Sequence, residues 1–207
     1  MRNNENLSTT IRRYYRVQSK IYDLTRPFFL SGRRKILEET IGLTPIQKIL
    51  EVGCGTGANF HNTLKKYPES KVLGLDLSED MLSKALKKVK KFKNRVDLVQ
   101  GMFPECLNDK NKFDMILFSY SLSMMGLEVD SAIKAAQRRL ENGGLIAVVD
   151  FCETSFKTVK CWLGLNGVTI DGTIEKSLSK YFAPVMVKKE IVFMGLWKHI
   201  RFVGRKV

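Results

Sequence analysis

The first forty positions alternate apolar and polar residues at helical spacing. Within 7–24 the apolar residues fall on one helical face and arginines fill much of the other; the apolar set is Leu7, Ile11, Tyr14, Tyr15, Ile21 and Tyr22. Pro27 interrupts this helix, and the apolar triplet at 28–30 is expected to be exposed. Residues 32–41 then predict a second helix, closed by Gly42.

From Pro45 onward the pattern changes to short apolar strands separated by amphipathic helices. Strands are predicted at 48–52, 71–78, 95–101, 113–122 and 145–151. Ser78 is the expected N-cap of the helix after the second strand, with two acidic residues in its first turn. The fourth strand is too continuously apolar to have a face in water. This alternation predicts a parallel sheet with helices on both faces, an α/β fold.

The C-terminal third predicts two longer strands that meet near Met194 and Gly195 and add an antiparallel edge to the sheet. No repeat or linker divides the chain, so we expect one domain over 1–207. Within it, 1–44 is the predicted N-terminal helical lid, 45–151 the ligand-binding core, and 152–207 a C-terminal helix and strand pair.

The charge of the chain is unusual. Thirty-five Lys and Arg against 21 Asp and Glu give a net charge of +14, which indicates an anionic partner or a host whose proteins are generally basic. The four cysteines form no metal-like spacing with each other or with a histidine, so we expect reduced thiols and no metal. No signal peptide and no apolar run of roughly 18 residues is present, which leaves only a peripheral membrane role.

The stretch "KILEVGCGTGANF" at 48–60 places Gly53, Gly55 and Gly57 directly after the first strand. Glycines let a ligand approach the backbone, and ligands of parallel sheets bind at the carboxyl ends of the strands. The spacing G-x-G-x-G differs from the G-x-G-x-x-G of dinucleotide sites, and a tight turn without a ligand is the alternative. Asp76 at the end of the second strand favours a ligand, since a carboxylate there accepts ribose hydroxyls.

Glu51 decides between cofactors. Beside a pyrophosphate its charge would be repulsive, by about a kcal/mol or more. A nucleoside with a cationic amino acid end would be attracted, and S-adenosylmethionine fits that description.

Four segments carry a family resemblance: "ILEVGCGTG", "VLGLDLSEDML", "LVQG" and "LENGGLIAVVDF". In this order they resemble the motifs of class I S-adenosylmethionine-dependent methyltransferases. The resemblance implies a Rossmann-like, doubly wound seven-stranded sheet, mostly parallel with one antiparallel C-terminal strand. It implies the cofactor residues Tyr22, Glu51, Gly53, Cys54, Gly55, Gly57, Asp76, Leu77, Met81, Gln100, Gly101, Met102 and Ser119.

By the same resemblance Asp76 holds the ribose, Leu77 and Met81 flank the adenine, and 100–102 reach its polar edge. The family often has an acidic residue where this chain has Met102. The resemblance then implies that adenine is held either by backbone groups and Gln100 or more loosely.

Segments 14–37 and 118–125 resemble, more narrowly, the small bacterial methyltransferases that make betaine-lipid headgroups, and their relatives that methylate phosphatidylethanolamine. The resemblance implies N-methylation of diacylglycerylhomoserine to its trimethylated betaine lipid, or of phosphatidylethanolamine. It implies a cytoplasmic enzyme bound peripherally to the inner face of the membrane, and a partner enzyme that makes the aminolipid precursor. Tyr22 would close over the methionine end of the cofactor.

Residue chemistry adds support for a lipid substrate at an anionic membrane surface. The N-terminal helix has aromatic and arginine faces, and Phe28, Phe29 and Leu30 could insert beside it. The basic run 84–95 either contacts anionic lipid or is simply solvated.

An amine acceptor must lose its proton before it attacks a methyl group. Tyr22, Tyr120 and Tyr15 are the candidate catalytic residues, since phenols and aromatic faces suit an amine that becomes cationic. His61 and His199 are expected to be surface or structural. Arginines at 26, 33 and 34 could hold a carboxylate or phosphate of the substrate.

Three alternatives remain open. A quinone or other small-molecule methyltransferase would share the core but would not need the positive charge. A nucleic-acid methyltransferase would explain the charge, but "FSYSLSM" lacks the Asn/Asp-Pro-Pro-aromatic motif and no nucleic-acid partner is expected. A membrane-associated S-adenosylmethionine-binding protein without catalysis would retain the cofactor residues alone.

Overall fold

The computed structural model describes residues 30–92, 94–108 and 110–206. Seven strands form one sheet in the order β3-β2-β1-β4-β5-β7-β6. Their bounds are β1 Lys48–Val52, β2 Lys71–Asp76, β3 Val96–Gln100, β4 Phe113–Ser119, β5 Leu140–Glu153, β6 Ala183–Val192 and β7 Trp197–Arg205.

Six α-helices lie within the described residues: α1 Arg33–Glu38, α2 Phe60–Lys66, α3 Glu79–Val89, α4 Val129–Arg139, α5 Lys157–Leu165 and α6 Thr173–Tyr181. Short 3-10 turns follow at Lys90–Phe92, Leu122–Met124, Gly126–Glu128 and Phe193–Gly195. Ser78 caps α3 as predicted, because its hydroxyl accepts from the Met81 N–H at 3.4 Å.

Strands β1 to β5 run parallel, and β7 is antiparallel to both of its neighbours. Alternate residues of the central strands enter different cores: Ile49 packs on the side of α1 and α2, whereas Leu50 packs on the side of α4. The structure confirms the predicted doubly wound seven-stranded sheet, mostly parallel with one antiparallel C-terminal strand. The carboxyl ends of β1 to β5 therefore share one edge.

Two regions differ from the prediction. The segment 152–207 carries two helices, α5 and α6, rather than one. Leu30 is buried in the core beside α1. The sequence predicted that it would be exposed and insert into a membrane, because an isolated apolar triplet does not reveal that the start of α1 covers the sheet. The rest of the predicted lid, residues 1–29, lies outside the described residues.

Candidate active site

The glycine turn joins the ends of three strands. The Gly53 and Cys54 N–H groups both donate to the Leu75 carbonyl of β2, at 2.8 and 2.9 Å. The Ser121 hydroxyl, just after β4, donates to the Val52 carbonyl at 2.8 Å. A Cβ added to Gly53, whose φ is +72°, would lie 2.6 Å from the Ser121 Cβ. Only glycine fits between these two strand ends.

Asp76 is held rigidly at the end of β2. One carboxylate oxygen accepts from the Gly55 N–H at 2.7 Å and the other from the Ser78 N–H at 2.9 Å. Burial raises the pKa of Asp76, and these backbone donors counteract part of that effect. Each oxygen of a carboxylate can accept a second hydrogen bond, so the side chain can still receive two ribose hydroxyls.

Glu51 is almost completely buried at the end of β1. Its Oε1 accepts from the Asn59 side chain at 2.7 Å, whereas Oε2 has no hydrogen-bond partner within the part of the chain that the structure describes. Burial raises the pKa of Glu51 to about 7, against the opposing effects of Asn59 and of the nearby Arg33 charge. A buried acceptor without a donor is costly, and Glu51 lines a cavity.

That cavity, of about 580 Å³, is here called the basic cavity. One acidic residue and five residues with basic side chains line it together with the glycine turn: Glu51, Arg33, His61, Lys87, Lys88 and Lys91. The run 84–95 therefore contributes three lysines to a cavity wall, which was not expected from the sequence. Lys88 reaches the Thr56 hydroxyl of the turn at 3.1 Å.

A second cavity, of about 160 Å³, lies on the other side of the turn, and Gly53 lines both. Its walls are mainly apolar: Val52, Leu75, Leu77, Met102, Phe103, Pro104, Met124, Met125 and Ala132. Asp76 stands at this cavity. An apolar space beside a carboxylate suits a nucleoside base attached to a ribose.

The predicted cofactor residues divide between the two cavities. Glu51, Gly53, Cys54, Gly55, Gly57 and Ser119 line the basic cavity, and Asp76, Leu77, Gly101 and Met102 line the second. Met81 is fully buried and Gln100 is exposed, and neither is among the described residues that line these cavities. The Gln100 amide instead donates to the Leu77 carbonyl at 3.4 Å. Tyr22 and Tyr15 lie outside the described residues.

Tyr120 is buried just after β4, with a positive φ of 58°. Its hydroxyl donates to the Ser31 carbonyl at 2.6 Å, and the Arg33 guanidinium lies 5.8 Å from its ring centroid. Burial raises the pKa of Tyr120 well above its ordinary value. The ring face that was expected to receive the cationic amine is therefore next to Arg33, and the catalytic role of Tyr120 stays a prediction.

The two histidines differ in environment. His199 is buried, and its Nδ1 lies 3.2 Å from both the Tyr120 and the Ser31 hydroxyls. Burial lowers the pKa of His199 despite the neighbouring Glu190. Its predicted structural role fits this placement. His61 is exposed and lies at the basic cavity.

Three residues at the site were not identified from the sequence: Asn59, Ser121 and Asp150. Asp150 is buried and fixes the loop after β4, since it accepts from the Ser123 N–H at 3.1 Å; burial raises its pKa to about 6. Asn59 lies eight residues after Glu51 within the same motif, so its pairing with that carboxylate could have been considered. The partners of Asp150 and Ser121 depend on distant strands.

Within residues 30–92, 94–108 and 110–206, no group of three or more His, Cys, Asp or Glu side chains is placed to hold a metal ion. In the same ranges no helix has the length and apolar character needed to cross a membrane.

The matching family model and the two relatives described here are all named as methyltransferases. Residues 49–144 match the family model described as "Methyltransferase domain". A probable cobalt-precorrin-6B C(15)-methyltransferase of Pyrobaculum calidifontis is 36% identical over 128 residues, 60% of this chain and 63% of that protein. A demethylmenaquinone methyltransferase of Staphylococcus carnosus is 34% identical over 128 residues, 61% of this chain and 51% of that protein. The chain thus spans between half and two thirds of these relatives.

Among solved structures, phosphoethanolamine N-methyltransferase 2 of Haemonchus contortus, in complex with phosphomonomethylethanolamine and S-adenosylhomocysteine, superposes with a TM-score of 0.73. The sequences are 17% identical, and the match covers 84% of this chain and 52% of that one. At this identity the likeness establishes the fold.

Proposed function

We propose that this chain, whose core is that of the class I S-adenosylmethionine-dependent methyltransferases, methylates the amine of a lipid headgroup. Its cofactor is S-adenosylmethionine. The preferred acceptors are diacylglycerylhomoserine, converted to its trimethylated betaine lipid, and phosphatidylethanolamine. The methyltransferase part of the proposal is carried by the buried Glu51 carboxylate, which lines the basic cavity together with Arg33 at a glycine turn.

The residues present fit the cofactor. Glu51 and Arg33 place one negative and one positive group in one cavity, matching the ammonium and carboxylate of an amino acid. The open acceptor on Glu51 would take an N–H from that ammonium. Asp76 would receive the ribose hydroxyls, and the apolar second cavity would enclose the adenine between Leu77 and Met102. No phosphate has to lie near Glu51 in this arrangement.

The bound cofactor supplies a methyl group activated by a sulfonium. The contribution of this chain is alignment and the exclusion of water. Gly53 lines both cavities, and only glycine leaves room there for Ser121. Asp150 and Ser121 fix the loop after β4, which borders the second cavity. The acceptor amine must arrive unprotonated or lose its proton to water or to a nearby group.

Three observations support a lipid headgroup amine. The net charge of +14 favours an anionic surface. The basic cavity carries lysines beyond those needed for the cofactor carboxylate, so it can also hold an acidic part of the acceptor. The fold matches that of an enzyme named for N-methylation of phosphoethanolamine.

Methylation of a quinone is the second candidate. It is favoured by the sequence identity to demethylmenaquinone methyltransferase. The positive charge is not needed for a neutral quinone, which is why the lipid amine is preferred.

The test uses the purified chain with methyl-labelled S-adenosylmethionine and vesicles that contain diacylglycerylhomoserine, phosphatidylethanolamine or demethylmenaquinone. Mass spectrometry should show methyl additions on an aminolipid headgroup, and these should be lost in Asp76→Asn. Asp97→Asn, an exposed aspartate of β3, is the matched control and should keep full activity. Methylation of the quinone alone would overturn the lipid assignment, and failure to bind S-adenosylmethionine by calorimetry would overturn the class.

A further inference from the structure

Five large apolar side chains are exposed along one edge of the molecule, and we call them the apolar rim. Met194 and Leu127 are completely exposed, Leu165 is 79% exposed, and Phe156 and Trp162 are each 47% exposed. Single exposed apolar residues are normal, but a contiguous group of them marks an interaction surface.

The sheet topology places the rim at the same edge as the cofactor site. β5 is parallel to β4, so α5, which follows β5 and carries Trp162 and Leu165, begins at the carboxyl edge. β7 is antiparallel to β5, and the pairing of Glu153 with Lys198 brings the Phe193–Gly195 turn to that edge. Leu127 lies in the loop that leaves β4.

Two hydrogen bonds join these segments into one surface. The Thr154 hydroxyl donates to the Leu196 carbonyl at 2.6 Å, which holds the residues before α5 against the Met194 turn. The Thr169 N–H donates to the Ser123 carbonyl at 2.7 Å, which holds the residues after α5 against the loop that carries Leu127. Met124 of that same loop lines the second cavity. Through Met124, the apolar rim therefore adjoins the wall of the second cavity.

The charges on α5 indicate what covers the rim. The helix contains Lys157 and Lys160, both exposed, and no acidic residue. Lysines beside an exposed tryptophan are typical of segments that lie in the headgroup region of a bilayer. The helix is too short to span a membrane. Glu128 and Glu153 are also exposed near the rim, and Glu153 is paired with Lys198. The charges nearest to Trp162 along the chain are the lysines of α5, which are complementary to anionic lipid.

We propose that the apolar rim docks this chain on an anionic bilayer and presents the carboxyl edge of the sheet to the headgroups. The inference deepens the proposed function, on which it rests for the identity of the substrate. The surface differs from the one expected from the sequence. Of that expected surface, Leu30 is buried, three lysines of the 84–95 run line the basic cavity, and residues 1–29 lie outside the described residues.

The test measures partition of the full chain onto sedimented vesicles of equal phosphatidylglycerol and phosphatidylcholine, without cofactor or acceptor. Leu165→Glu/Met194→Glu should weaken partition at least about tenfold, as expected when two apolar anchors are withdrawn. Trp197 is buried against Phe151, so a blue shift of tryptophan emission on vesicle binding should come from Trp162. The shift should disappear in Trp162→Phe.

The matched control is Ile41→Glu/Val185→Glu. Both positions are exposed aliphatic residues at the opposite edge, where β1 and β6 begin, and they are 49% and 42% exposed. The control changes the net charge equally, so it should bind vesicles far better than the rim variant. Circular dichroism and melting curves establish that both variants are folded.

Equal weakening by both variants would show that net charge alone drives binding and would overturn the proposal. Unchanged binding by the rim variant would overturn it as well. A chain that sediments as a dimer, and becomes monomeric in the rim variant with no change in vesicle binding, would assign the rim to a second copy instead. Because no turnover is measured, these outcomes are independent of which acceptor is methylated.

Discussion

At the scale of single residues, the proposed site pairs a buried carboxyl group, Glu51, with a half-buried guanidinium, Arg33. Glu51 and Arg33 share the basic cavity, and the raised pKa of Glu51, about 7, reflects its burial. A group whose pKa is raised by folding contributes most to stability below its unfolded pKa, and that contribution is lost as the pH rises through the folded pKa. For Glu51 this window runs from 4.5 to about 7. Cofactor binding is proposed to use the charged form of Glu51, so it should have the opposite dependence on pH.

Glu51→Gln separates these two effects. Above pH 7 the unliganded variant should be more stable than the wild type by up to about 3 kcal/mol, because no buried carboxylate has to ionise. Its affinity for S-adenosylmethionine should fall by at least about tenfold. The affinity of the wild type for S-adenosylmethionine should decline below about pH 7, whereas the affinity of the variant should not change there. Denaturant melts and calorimetry between about pH 5 and 9 measure the stability and the affinity. A variant with unchanged affinity would remove Glu51 from the site.

Gly53→Ala tests the close approach at the turn. The substitution should destabilise the protein and weaken cofactor binding, because the new Cβ would meet Ser121 and the φ of +72° is unfavourable for alanine. Gly172→Ala is the control: its φ is +81°, but nothing lies within 4 Å of an added Cβ. It should cost about 1 kcal/mol from backbone strain alone. Equal losses of stability in the two variants would mean that Ser121 is not a constraint.

At the scale of elements, the C-terminal hairpin supports the start of the site. Arg201 of β7 is buried and donates to Glu39, which closes α1, and to Glu190 of β6. His199, two residues earlier, contacts Tyr120 and Ser31. These contacts hold α1, and with it Arg33, against the sheet. The hairpin thus fixes one wall of the basic cavity although it contributes no residue to it.

Arg201→Leu should lower the free energy of unfolding by about 3 kcal/mol, because two carboxylates lose their buried partner. Lys188→Leu removes an exposed lysine that lies 3.3 Å from the same Glu39, and should cost less than about 1 kcal/mol. Urea denaturation measures both changes. If the two variants were equally stable, the buried network would not hold α1.

At the scale of the whole molecule, charge and apolar surface should contribute separately to the proposed membrane binding. The net charge of +14 acts over the Debye length, about 10 Å at 0.1 M salt. The apolar rim acts only on contact and is insensitive to salt.

Binding to anionic vesicles should therefore fall steeply between about 0.05 and 0.5 M salt and then level off. The wild type and the opposite-edge control should retain measurable partition at high salt, whereas the rim variant should retain none. Vesicle sedimentation over a salt series measures this. A wild-type curve that falls to zero at high salt would leave electrostatics as the only attraction.

Several features of the site could be predicted from the sequence because they depend on neighbours along the chain. The spacing of apolar residues predicted the strands, and the residue types at the ends of β1 and β2 indicated a cofactor that combines a ribose with an amino acid. Ser78 was recognisable as a cap for the same reason. Glu51 and Asp76 follow directly from their positions at strand ends in a parallel sheet.

Other features were decided only by the tertiary structure, since their partners are far apart in sequence. Tyr120 meets Ser31 and His199 across 89 and 79 positions, and Asp150 meets Ser123 only because β4 and β5 pair. Leu30 is buried, and Leu127, Leu165 and Met194 belong to one apolar rim. Both outcomes depend on which segments of the chain meet at the same edge of the sheet. Local pattern determines the elements and the chemistry at their ends; packing determines which side chains are buried, which are exposed, and what they face.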